Sequence, residues 1–85
     1  MDSYQFSNHS LEQMQVRGIT EELVRMLIKN PEQSLLDPFD SSKMILQSIF
    51  SDSNAKMFLV RIFINVSKKP TMVITVYTTS KIDKY

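Results

Sequence analysis

No cysteine occurs anywhere in the 85 residues. Disulfides and thiolate metal sites are therefore excluded, and a reducing compartment is compatible with the chain. There is one histidine, His9, too few for an ordinary zinc ligand set. No metal or other cofactor is expected. No apolar run approaches the roughly 20 residues that cross a bilayer. The opening Met1-Asp2-Ser3-Tyr4 has neither the cationic nor the apolar region of a secretory leader. These absences lead us to expect a cytoplasmic protein with no membrane partner. Glycine is equally scarce: Gly18 is the only one. A left-handed turn that needs glycine can therefore fall at only one place.

What is present describes a small folded domain. Hydrophobic residues make up 42% and charged residues 22%, ordinary for a globular protein. A chain of this length buries roughly two-thirds of its unfolded surface, which is one modest core. We read residues 1–85 as a single domain. The net charge is +1, unevenly spread. Residues 1–42 carry seven acidic side chains against three basic ones, a net of −4. Residues 43–85 carry seven basic against two acidic, a net of +5. Either the second half meets an anionic partner or the chain is a plain dipole.

The first third reads as a helical hairpin over residues 7–30. Ser7 or Asn8 can cap a helix that runs to about Arg17, with Leu11 and Met14 on one face. Gly18 stands where a left-handed residue ends a helix. Arg17 is expected to bond the last helical carbonyls. Thr20 can cap a second helix with Glu21 and Glu22 in its first turn. Leu23, Val24, Leu27 and Ile28 form its apolar stripe, and Pro31 stops it.

The rest reads as strands over residues 43–79. Lys43 to Phe50, Lys56 to Val66 and Thr71 to Thr79 are rich in β-branched and aromatic residues. Short strands are also expected near Tyr4 to Phe6 and Gln33 to Leu36, and Asp37 to Ser42 reads as a polar connector. The expected fold is α+β, two N-terminal helices packed on one face of a three- to four-stranded antiparallel sheet. Alternation assigns Phe58, Val60, Ile62, Ile64, Met72, Ile74 and Val76 to the helix side. It leaves Lys43, Ile45, Gln47, Ile49, Leu59, Arg61, Phe63, Val73, Thr75, Tyr77 and Thr79 opposite. That second face is too apolar to stand alone in water, which points to a partner or a covering segment. Residues 80–85 form a cationic tail ending in Lys84 and Tyr85.

The stretch Asn8-His9-Ser10-Leu11-Glu12-Gln13-Met14-Gln15-Val16-Arg17-Gly18-Ile19 resembles the opening of a small, uncharacterised bacterial domain family. That family begins His-Ala-x-x-Arg-x-x-x-Arg-Gly-Ile and ends much like Thr75-Val76-Tyr77-Thr78-Thr79-Ser80-Lys81-Ile82-Asp83-Lys84-Tyr85. Here Ser10 replaces the alanine and Gln13 the first arginine. The family looks distantly similar to the RelE and BrnT toxins, small α+β ribonucleases of toxin–antitoxin pairs. The resemblance implies a RelE-like fold, RNA as a substrate and an antitoxin protein as a partner.

Metal-free RNA cleavage needs a base for the 2′-OH, cations for the phosphorane and an acid for the leaving oxygen. The candidate catalytic residues are His9, Arg61, Tyr77 and Lys81. The candidate nucleic-acid contacts are Lys43, Gln47, Arg61, Lys81, Lys84 and Tyr85. Arg61 can bind phosphate bidentately from a strand, and Tyr77 or Tyr85 can stack on a base or relay a proton. His9 is a candidate base, or else a residue that folds against the sheet edge or helps cap its helix. The competing function is a non-catalytic interaction module, using the sheet face away from the helices to bind a protein or a second copy.

Overall fold

The computed structural model describes residues 4–51 and 54–82. The chain runs β1 (Tyr4–Phe6), α1 (Asn8–Arg17), α2 (Glu21–Lys29), β2 (Gln33–Asp37), β3 (Asp40–Ser51), β4 (Met57–Asn65) and β5 (Thr71–Thr79).

Local chemistry sets both helices. The Ser7 hydroxyl accepts from Ser10 N–H at 3.1 Å, and the Thr20 hydroxyl from Leu23 N–H at 3.1 Å. Each thereby satisfies an orphan donor of a first turn. Gly18 sits at φ 68°, ψ 31°. Two bonds close the turn around it: Gly18 N–H to Gln15 O at 3.3 Å and Ile19 N–H to Met14 O at 2.8 Å. That pairing is the Schellman ending, which a left-handed residue makes possible.

The fold is α+β with a five-stranded mixed sheet, in the order β1-β5-β4-β3-β2. It is wider than the three to four strands expected. The short segments at both flanks complete it, and β1 joins β5 in parallel rather than antiparallel fashion. The parallel pairing follows from α1 and α2 carrying the chain away before it returns through the meander. The polar connector expected over 37–42 is mostly strand. The turn is only Pro38-Phe39, with Asp37 Oδ1 accepting from Phe39 N–H at 2.8 Å.

The helices cover one face. Met14, Val24, Ile28, Leu46, Val60, Ile62, Ile64, Val73 and Val76 are buried together there with Ile19. Leu23 and Leu27 flank this core instead of filling it, because Val24 and Ile28 form the line of α2 nearest the sheet. One register expectation fails on β5. Phe63 pairs with Thr75 but Ile64 pairs with Val73, so Ile74 is an extra residue in a bulge. The bulge turns Val73, fully buried, to the helix side and places Met72 opposite Asn65 on the other face. The middle strand keeps its expected alternation: Val60 and Ile62 are fully buried and Arg61 faces away.

A candidate site on the open sheet face

The face turned away from the helices carries one polar row across four strands. Gln33 of β2 pairs with Gln47 of β3, Gln47 with Arg61 of β4, and Arg61 with Tyr77 of β5. The side chains bond in the same order. Gln33 Oε1 accepts from Gln47 Nε2. Gln47 Oε1 accepts from Arg61 Nε at 3.0 Å, and Arg61 Nη1 donates to the Tyr77 hydroxyl at 2.8 Å. Gln47 is only 3% exposed, so its carboxamide needs both bonds.

Aromatic rings brace the guanidinium. It lies 5.4 Å from the Phe63 ring centre and 5.7 Å from that of Tyr77. The two rings are roughly parallel, 5.9 Å apart. A cation over a ring face is worth roughly 0.5–1 kcal/mol where water reaches it. Among the described residues, Gln47, Tyr77 and the two rings hold the half-buried Arg61 on its central strand.

Beside the row the sheet has a notch. β2 begins at Gln33, opposite Gln47, whereas β3 continues to Ser51. Past Gln47 the outer side of β3 therefore lacks a strand neighbour. Glu32 fills part of that need: its carboxylate accepts from Ile49 N–H, and its own N–H donates to the Ser48 hydroxyl at 3.1 Å. The notch is a cavity of about 350 Å³ lined by Glu32, Gln33, Gln47, Ser48, Ile49, Leu59 and Ile82. Ile82 reaches it because the chain turns off β5 toward β4 and β3. Leu59, expected as an exposed contact, is 5% exposed at the cavity floor.

The candidate residues do not all meet here. Arg61, Tyr77 and Gln47 form the row. Lys43 shares their face but lies four residues from Gln47, about 13 Å along the strand. It pairs with Asp40 at 3.7 Å. Lys81 is exposed in the segment leaving β5, where its N–H donates to the Thr79 hydroxyl at 3.1 Å. His9 is exposed in the first turn of α1. Lys84 and Tyr85 lie outside the described residues. Among the described residues no three acidic or histidine side chains gather as a metal site, and no helix is long and apolar enough to cross a membrane. Sequence reasoning missed Glu32, Gln33 and the notch. A two-residue turn alone would set Gln33 against Met44; an irregularity between Leu36 and Asp37 moves it to Gln47.

The helix signature has a structural use. α1 runs beside β5 where β1 has ended, and two of its side chains and its N-cap Ser7 bond that strand's free backbone. The Ser7 hydroxyl donates to Ile74 O at 3.0 Å. Gln13 Oε1 accepts from Val76 N–H at 3.1 Å. Arg17 Nη1 makes a long 3.5 Å contact with Thr78 O, so it serves the sheet edge and not the end of its own helix as expected. Ser10 is fully buried, and its hydroxyl donates to Ser7 O at 2.8 Å.

A family model described as Domain of unknown function (DUF4258) matches residues 6–78. The chain belongs to that family. Comparison with curated proteins gave no match, and comparison with solved structures gave none either.

Proposed function

We propose that the open sheet face binds single-stranded RNA, in the manner of a RelE/BrnT-like toxin-type protein, with Arg61 as its principal phosphate contact. The observation that carries this reading is Arg61 itself, fixed on a central strand by Gln47, Tyr77 and two rings. A guanidinium grips phosphate through two parallel N–H···O bonds, and a preset one loses less entropy on binding. Aromatic side chains next to it on an open sheet are the usual platform for unstacked bases. The +5 charge of residues 43–85 adds long-range attraction.

Metal-independent cleavage at this site needs a group that moves a proton and one that stabilises the phosphorane. Tyr77 is the group in place to move a proton, with Arg61 as the electrostatic stabiliser. The test is titration of a labelled single-stranded RNA at several salt concentrations, with a cleavage assay on the same samples. Arg61→Ala and Lys81→Ala each lower affinity while the protein stays folded, and loss of cleavage without loss of binding in His9→Ala identifies the histidine as a proton-moving group. Binding that ignores salt, or that survives Arg61→Ala unchanged, overturns the proposal.

One observation favours the second reading, a non-catalytic interaction module that binds an antitoxin-like protein or its own copy. Leu35, Leu36 and Phe39, on the outermost strand and its turn, are 42%, 66% and 96% exposed. Val73, expected among the contacts, is buried on the other face. A sedimentation series over protein concentration tests self-association. Under this reading Phe39→Ser abolishes a dimer; a monomer at all concentrations removes the homodimer form.

A further inference from the structure

We infer that the notch between Gln33 and Ile82 is a base-selecting subsite for guanine; the inference rests on the reading that this face meets RNA. The cavity, about 350 Å³, lies at the lower end of ligand sites of roughly 300–1,000 Å³ and suits one nucleobase. Its floor is apolar, built from Ile49, Leu59 and Ile82, and offers a flat base ring a dry surface. Its rim is polar and of mixed sense. Glu32 supplies a carboxylate, which only accepts when ionised and already takes the Ile49 N–H on one oxygen; Gln33, whose Oε1 is taken by Gln47, supplies a carboxamide N–H, which donates.

That rim discriminates among bases. Guanine presents two adjacent donors, N1–H and N2–H, beside one acceptor, O6. A carboxylate takes the donor pair and a carboxamide N–H takes O6. Adenine, cytosine and uracil each lack the paired donors. Electrostatics sets the orientation: the Glu32 carboxylate repels phosphate. The sugar-phosphate then extends toward the Arg61 end of the row. Gln47 lines the cavity and also bonds Arg61, so base and phosphate contacts share one rigid group.

Calorimetric titration with the four nucleoside 5′-monophosphates, and with guanosine, tests this. The guanine nucleotide should bind at least about tenfold tighter than the others, the worth of a charged hydrogen-bond pair. Glu32→Gln keeps a carbonyl for Ile49 N–H but exchanges an acceptor for a donor. It should erase the preference and leave the melting temperature unchanged. Arg61→Ala should weaken all four nucleotides alike and leave the ratio. Gln33→Ala, on an exposed strand, should weaken guanosine too. Equal affinities, or a preference that survives Glu32→Gln, overturn the subsite. Salt-sensitive RNA binding without base preference removes the subsite and leaves the RNA reading standing. Guanosine binding without RNA binding does the reverse, and no binding of either removes both.

Discussion

At Gly18 backbone conformation and space can be separated. A Cβ built there meets no atom within 4 Å, so substitution costs only what φ 68° imposes. Gly18→Ala should lower stability by about 1 kcal/mol, and Gly18→Asn by less, because asparagine tolerates the left-handed region. Urea denaturation measures both. The position was legible because glycine occurs once and follows a helical run. Ala55, at φ 62°, was not, since alanine carries no sequence signal for that conformation. Asp40 gives the residue scale its pH dependence. The Ser42 side chain and then the Ser42 backbone N–H hydrogen-bond its carboxylate and hold its pKa below the ordinary 3.8, with Lys43 adding a smaller pull. A depressed pKa means the folded state favours the charged form. The contribution is therefore present above the ordinary value and fades as pH falls through the folded one. The protection of the Ser42 amide, its exchange relative to the unfolded chain at the same pH, should fall as pH drops below the ordinary 3.8. Asp40→Ala should already show the lower protection at neutral pH.

At the scale of elements, the two flanks of the sheet differ. The β5 flank is covered by β1 and then by α1, whose N-cap Ser7 and side chains Gln13 and Arg17 engage the strand backbone. The β2 flank carries exposed leucines. Gln13→Ala removes the acceptor of Val76 N–H, and Val76 is fully buried. We expect a loss of about 1–2 kcal/mol, read by denaturation, with faster exchange at the Val76 amide. Caps, the helix stop at Pro31 and the alternation of β4 were legible because each is local. The bulge at Ile74 and the shifted β2–β3 pairing were not. Both depend on how a strand meets a neighbour, and alternating apolar residues fit either register until packing chooses. The same limit hid half of the candidate site. Arg61, Tyr77 and Gln47 could be placed on one face by parity, whereas Glu32 and Gln33 required the observed pairing.

Taken as a whole, the molecule divides its faces. The helices pack on one face over the core; the other face carries the Arg61 cation, two rings and the polar row. Single-strand binding releases condensed counterions, so log affinity falls with log salt by about 0.7 per phosphate contacted. The most direct measurement is therefore the affinity of a short single-stranded RNA for the native protein and for Arg61→Ala across a salt series. The expected result is a steep decline for the native protein. For the variant it is a weaker affinity with a slope shallower by about 0.7, at unchanged fold. A native protein that binds no RNA at low salt, or a variant with the same affinity and slope, contradicts the assignment of this face.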